Sequence, residues 1–237
     1  MVKLPVIVTR AQPGASETAA RVRMEGFYAL MSPVLELRAL EDVVPDLEGI
    51  RHLVFTSANG VCFFMQAVGG MTEQVAGLTA WCVGPATTRA ARDSGFGLLK
   101  AGHGNADDLA DLILSSSGPE DGGFLHIANS AAAGQLVAQL TNSGRDVRFQ
   151  ALYEAVWRGS LAPEARTALI APDISFVLIH SAKGAEAFKA ALSGVSLGSS
   201  VLVAISDAAA RPLEGRIASQ PNEEALMMAL KTAHLRL

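Results

Sequence analysis

The sequence predicts an α/β fold: two similar parallel-sheet α/β domains joined by a two-stranded antiparallel connector, the first domain being discontinuous. Three observations carry this. First, Leu53-Val54-Phe55-Thr56-Ser57-Ala58-Asn59-Gly60 is echoed by Phe176-Val177-Leu178-Ile179-His180-Ser181-Ala182-Lys183-Gly184. Each copy is a short apolar run, the mark of a strand buried on both faces, that meets a Ser and then a Gly three residues on, where a helix opens. Second, the order of the following units repeats. Trp81-Cys82-Val83-Gly84-Pro85-Ala86-Thr87-Thr88 answers Val203-Ala204-Ile205-Ser206-Asp207-Ala208-Ala209-Ala210, and Asn105-Ala106-Asp107-Asp108 answers Pro221-Asn222-Glu223-Glu224 as acidic helix starts. Third, the remaining units repeat in permuted position. Val6-Ile7-Val8-Thr9, a helix to Met24, Gly26 and a strand through Ala29 to Leu37 match Phe124-Leu125-His126-Ile127, a helix to Asn142, Gly144 and a strand from Val147 to Val156, without a gap.

The permutation sets the domain limits. Residues 1–32 and 174–237 form the discontinuous α/β domain, 43–148 the inserted α/β domain, and 33–42 and 149–173 the connector strands and linker. The chain then crosses outward along Pro33-Val34-Leu35-Glu36-Leu37-Arg38 and returns along Leu152-Tyr153-Glu154-Ala155-Val156-Trp157. These run in opposite senses and alternate, which suits an antiparallel pair and a hinge.

Composition narrows the class. The chain has 237 residues, 50% of them hydrophobic, which suffices for two cores of Ala, Val, Leu and Ile. Its two cysteines, Cys62 and Cys82, lie in apolar runs and read as small core residues, so neither a disulfide nor a metal site is expected. A net charge of −4 without a basic stripe argues against nucleic acid. No stretch has the length of a membrane span, and Met1-Val2-Lys3-Leu4-Pro5 lacks the pattern of an export signal, so a cytoplasmic protein is expected. No long apolar surface helix stands out, and a monomer is expected.

Candidate ligand residues cluster where strands end, because helix N-termini there offer free N–H groups at the edge of a parallel sheet. Arg10 leaves the first strand, either facing a ligand or solvated. Ser57 and Asn59 follow the central strand of the inserted domain, as a plain cap or as a binding pair, and Thr87 opens the helix after Gly84-Pro85. Gly102-His103-Gly104-Asn105 lacks the third Gly and the lysine of a phosphate loop, leaving Asn105 as a ligand-edge or turn residue. Asn129-Ser130 ends a strand at the same edge as Ser57. Tyr153, one of 2 tyrosines, lies in the returning connector; its hydroxyl either finds a backbone partner or serves as a weak acid. Ser181, Lys183, Gly184 and Ser206 are the corresponding positions of the other domain. No histidine pair has metal-ligand spacing, and no G-x-S-x-G elbow is present.

Taken in order, Phe55-Thr56-Ser57-Ala58-Asn59-Gly60, Val83-Gly84-Pro85-Ala86-Thr87, Gly104-Asn105-Ala106-Asp107-Asp108-Leu109, Gly144 to Tyr153, Ser181-x-x-Gly184 and Ile205-Ser206 resemble the uroporphyrinogen-III synthase family over nearly the whole chain. The resemblance implies a ligand cleft between two domains and conversion of the linear tetrapyrrole hydroxymethylbilane into uroporphyrinogen III, with no cofactor and no metal. It implies an azafulvene formed by loss of the terminal hydroxyl, a spiro intermediate, and inversion of ring D. It assigns Tyr153 to assist departure of the hydroxyl, and Thr87 and Ser181 to line the cleft. It also allows transient contact with hydroxymethylbilane synthase. The pattern departs at Ser206-Asp207-Ala208-Ala209, where relatives carry a Thr, and at Asn129-Ser130, which replaces a basic residue. Arg10, Lys183 and backbone amides are the groups left to meet substrate carboxylates. Two other classes compete: a non-catalytic two-lobed ligand-binding protein derived from this fold, and a nucleotide-dependent transferase, which the missing phosphate loop disfavours.

Overall fold

A computed structural model describes residues 3–132 and 134–236. Met1, Val2, Ala133 and Leu237 lie outside the described residues, and with them the expected outer limits at 1 and 237. The chain begins with β1 (Pro5–Val8), α1 (Gly14–Met24) and β2 (Tyr28–Met31). Val6, Ile7 and Val8 are all fully buried, as a strand covered on both faces requires. Val6 and Val8 share one core with Ala15, Ala19 and Val22 of α1, whereas Ile7 points into a second core. The spacing of those α1 residues puts them on one helical face. Gly26, at φ +88°, supplies the left-handed residue that ends the helix.

The strand expected to run through to Leu37 is interrupted. β2 stops at Met31, and β3 (Leu35–Ala39) begins beyond Pro33, which has no N–H to give a ladder. Then follow β4 (Ile50–Phe55), α2 (Ala58–Ala67), α3 (Glu73–Ala76), β5 (Thr79–Cys82), α4 (Pro85–Asp93), β6 (Leu98–Ala101), α5 (Ala106–Ser116), β7 (Gly123–Asn129), α6 (Gln135–Asn142) and β8 (Val147–Trp157). The last part comprises α7 (Pro163–Ile170), β9 (Phe176–Ile179), α8 (Ala182–Leu192), β10 (Val201–Ala204), α9 (Asp207–Ala210), β11 (Arg216–Ile217) and α10 (Glu223–His234). α7 lies where the sequence reads as linker. Its Ala165 and Leu169 are fully buried in the same core as Ile7 and Val177.

The chain divides into two units, Met1–Leu37 with Ala155–Leu237, and Arg38–Glu154. The first carries a five-stranded sheet in the order β11-β10-β9-β1-β2, with every pairing parallel. Numbered within that unit, this is the doubly wound order 2-1-3-4-5, in which the winding reverses between β1 and β9. The second sheet runs β3-β8-β7-β4-β5-β6, and its pairings from β8 to β6 are parallel. Outward from β4 the neighbours are β5-β6 and β7-β8; outward from β9 they are β10-β11 and β1-β2. The two sheets therefore have the same order, permuted, and the reversal in the second falls between β4 and β7. Beside β8, β3 is bracketed by bonds from Leu40 N–H to Leu152 O (2.9 Å) and from Arg158 N–H to Val34 O (3.0 Å), which is the antiparallel sense.

Cys62 corrects a sequence expectation. In α2 the buried residues are Gly60, Val61 and Phe64, and Cys62 points the other way and is exposed. Cys82 is buried, and burial pushes its thiol up to about 11.

Candidate functional site

Both sheets bring polar side chains to the carboxyl ends of their central strands. In the unit spanning 38–154, Phe55 ends β4 and Ser57 adopts an extended backbone, φ −158° and ψ 155°, so that its Oγ accepts from Gly60 N–H at 3.1 Å and caps α2. Gly60 lets α2 pack closely on β7, since a Cβ there would stand 3.0 Å from the Ile127 carbonyl oxygen. The Tyr153 hydroxyl lies 2.9 Å from the same Ser57 Oγ. Its ring is stacked on Phe63 at 4.5 Å and 10°, and the residue is 4% exposed. Burial raises the Tyr153 phenol above its ordinary value, and the neighbouring Cys62 thiol adds to the rise, against a lowering by the Ser57 bond. Tyr153 is thus a neutral phenol at neutral pH, and in its contact with Ser57 either hydroxyl can donate. Its partner is a side chain of its own unit rather than a backbone group.

The other predicted residues of this unit are placed separately. Asn59 is half-buried in the first turn of α2, and Asn129 Oδ1 accepts from Ala131 N–H at 2.9 Å in an Asx turn. Ser130 is exposed, and its N–H donates to Tyr153 O at 2.9 Å, so the turn after β7 is tied to the strand that carries the phenol. Thr87 is 4% exposed in α4. Asn105 caps α5, accepting from Asp108 N–H at 2.8 Å and donating to Asp108 Oδ2 at 2.7 Å. Gly84 and Gly104 approach so closely that a Cβ on Gly84 would lie 3.1 Å from the Gly104 Cα. In β7, beside β4, His126 is 3% exposed, with Nε2 3.3 Å from Thr56 Oγ1 and no partner at Nδ1 among the described residues.

The other unit repeats the cap. Ser181, at φ −164° and ψ 159°, accepts from Gly184 N–H at 3.0 Å, and Ser206 accepts from Ala209 N–H at 3.4 Å. Lys183 Nζ donates to Ala155 O at 2.8 Å. Arg10 is not a free cation. Its guanidinium lies over Gly14, where a Cβ would be 2.5 Å from Cζ, and bonds Glu223 Oε2 at 3.2 Å and Thr18 Oγ1 at 3.4 Å. Thr18 donates to Glu223 Oε1 at 2.6 Å, and His180 Nε2 is 3.4 Å from Glu223 Oε2. Burial pushes the Glu223 carboxyl up, but hydrogen bonds from His180 and Thr18 and the charges beside it outweigh this and hold it at about 2. Burial lowers His180, against the pull of Glu223. This cluster occupies the β1/β9 reversal, where open α/β sheets bind ligands. Sequence reasoning missed Thr18, His180 and Glu223. The one local signal was that His180 follows β9 directly and Glu223 opens α10; their pairing is made by the sheet. Among the described residues no group of three His, Cys, Asp or Glu could hold a metal ion.

The family model for uroporphyrinogen-III synthase HemD matches residues 16–227. The chain belongs to the uroporphyrinogen-III synthase family. It is an enzyme of the lyase class that cyclises hydroxymethylbilane in tetrapyrrole biosynthesis. The fold is similar to that of uroporphyrinogen-III synthetase from Helicobacter pylori 26695, with 17% identity, a TM-score of 0.68, and coverage of 98% of this chain and 100% of the other. It is also similar to a mutant uroporphyrinogen III synthase from the extremely thermophilic bacterium Thermus thermophilus, with 17% identity, a TM-score of 0.55, and coverage of 99% and 100%. Comparison with the sequences of curated proteins gives no match. Among the described residues no helix is long and apolar enough to cross a membrane.

Proposed function

We propose that this family member converts hydroxymethylbilane into uroporphyrinogen III through a spiro intermediate, with inversion of ring D and loss of water, and that the Tyr153 hydroxyl is the source of the catalytic proton. The observation that carries the assignment is the buried Tyr153 hydroxyl, held protonated and bonded to Ser57 at the carboxyl end of β4. Loss of the terminal hydroxyl needs a proton on the leaving oxygen, while the pyrrole nitrogen pushes the carbon–oxygen bond open. A weak acid positioned by a stack and a hydrogen bond suits that step. The azafulvene is attacked by the substituted carbon of ring D, and fragmentation and reclosure invert the ring. Proton loss from the carbon then restores the pyrrole. The linear substrate closes spontaneously to the type I isomer, so the protein's main task is to favour one ring closure.

The substrate, on this reading, meets hydroxyl, amide and cationic groups at the strand ends: Ser57, Asn59, Asn129 and Ser130 in one unit, and Ser181, Lys183, Gly184 and Ser206 in the other. Arg10 joins them only by exchanging Glu223 for a substrate carboxylate. Thr87 and Asn105 complete the set at the turns that open α4 and α5, Thr87 buried and Asn105 serving as a cap as Ser57, Ser181 and Ser206 also do. We take the working form to be a cytoplasmic monomer that receives its unstable substrate by transient contact with hydroxymethylbilane synthase. The test is isomer analysis of the porphyrin formed when hydroxymethylbilane is generated beside the protein, oxidised and separated, with a protein-free control. Mainly type III product is expected. Only type I product, as in the control, would overturn the proposal and leave a binding protein on this fold.

A further inference from the structure

We infer that Ser57, rather than Tyr153, delivers the proton to the departing hydroxyl, and that Tyr153 resupplies Ser57 across the 2.9 Å contact between their hydroxyls. The inference rests on the reading above that hydroxymethylbilane is the substrate. The geometry around Ser57 Oγ carries it. This oxygen has two lone pairs and one hydrogen. Gly60 N–H takes one lone pair at 3.1 Å. If Tyr153 O–H takes the other, both acceptor sites are filled and the Ser57 hydrogen is directed away from both partners. The reverse arrangement would spend the Ser57 hydrogen on the phenol and leave the phenolic O–H of a residue 4% exposed without an acceptor among the described residues, which is the costlier state. Ser57 itself is half-buried and Tyr153 buried, so of the two residues Ser57 is the nearer to solvent. Tyr153 has little freedom to swing out, since its ring is stacked on Phe63 at 4.5 Å and its carbonyl accepts from Ser130 N–H at 2.9 Å.

The step balances. As the carbon–oxygen bond of the terminal hydroxymethyl group breaks, the leaving oxygen takes the Ser57 hydrogen and departs as water, while the phenol's hydrogen passes to Ser57 Oγ. The pyrrole nitrogen supplies the electron pair that replaces the broken bond. The products are water, a cationic azafulvene and a Tyr153 phenolate, with Ser57 again a neutral hydroxyl. After attack, fragmentation and reclosure, the ring carbon that must lose a proton returns it through Ser57 to the phenolate. No other reactant is needed, and water is the sole net loss. Ser57 is the catalytic residue here, and Tyr153 is a positioning residue and proton store that acts through it.

The experiment compares the unaltered protein with Ser57→Ala, Ser57→Gly, Ser57→Thr, Tyr153→Phe and the Ser57→Ala/Tyr153→Phe pair, measuring type III product, kcat and KM from hydroxymethylbilane generated in situ. Gly is nearly as good an N-cap as Ser, so Ser57→Gly separates loss of the hydroxyl from loss of the helix start. The expected result is a fall in kcat of roughly 10²-fold for Ser57→Ala, Ser57→Gly and Tyr153→Phe alike, with KM little changed. The double variant should be no slower than the slower single one, as for residues that act as a unit, and Ser57→Thr should recover most of the rate. In mixed light and heavy water, the unaltered protein should show a curved dependence of rate on deuterium fraction, from two protons in flight, that straightens in Tyr153→Phe. Near-normal turnover in Ser57→Gly beside a slow Tyr153→Phe, or multiplicative losses in the double variant, would overturn the relay and make Tyr153 the direct donor. Failure of the unaltered protein to form type III product would instead overturn the underlying function.

Discussion

His126 makes the unit built on β4 and β7 sensitive to acid, by an amount that follows from its surroundings. The side chain is 3% exposed, its Nε2 is committed to Thr56, and its Nδ1 has no acceptor among the described residues, so a proton added there would sit unpaired in a buried site. Burial accordingly lowers its pKa from 6.5 to about 4. The folded value lies below the unfolded one, so the unfolded chain takes up the proton first as pH falls. The contribution to stability is complete above pH 6.5 and is lost between 6.5 and about 4. At about 1.4 kcal/mol per unit the whole window is worth about 3 kcal/mol, of which about 2 kcal/mol should go between pH 7 and pH 4.5. The assay is urea unfolding at both pH values, followed by the fluorescence of Trp81. That residue is 2% exposed in the same core as Val54 and Phe124, and a Trp157→Phe background removes the other indole, which is 53% exposed. The His126→Gln variant keeps a polar end near Thr56 but cannot ionise, so it should lose about 2 kcal/mol less than the parent over this interval. Equal losses in parent and variant would refute the reasoning.

Glu223→Ala should cost about 2–3 kcal/mol in chemical unfolding of the other unit, because Arg10, Thr18 and His180 all lose their shared acceptor; an unchanged midpoint would mean that the cluster holds nothing together. Gly60→Ala should lower stability by about 1–3 kcal/mol, since the new methyl group would press on a backbone oxygen of β7 at 3.0 Å, and a neutral result in thermal melts would show that α2 can shift freely. Asn105→Ala should cost about 1 kcal/mol through loss of the α5 cap, with amide exchange at Asp108 N–H rising; an unprotected Asp108 N–H in the parent would refute the cap.

Much of the candidate site was legible because it depends on position along the chain. Ser57, Ser181 and Ser206 could be read as strand-end caps, since each lies between a β-branched run and a helical period. The reading of Cys62 as a core residue failed because burial depends on which way a helix turns: it lies in an apolar stretch, yet α2 exposes it, whereas α4 buries Thr87. Arg10 reads as an available cation, and it is engaged by Glu223, 213 positions away.

The sequence alone determined the alternation of strands and helices, the duplicated order of units and its permutation, because these follow from hydrophobic period, caps and repeat order, all of which are local. Only the tertiary structure decided which strand ends became neighbours. The parallel pairing of β1 with β9 set Arg10 and Thr18 beside His180 and Glu223, and the pairing of β4, β7 and β8 set Tyr153 on Ser57. Each such contact joins residues far apart in the chain, and its geometry is fixed by strand register and by the side chains that fill the space between sheet and helix. Neither is written in any single stretch of sequence.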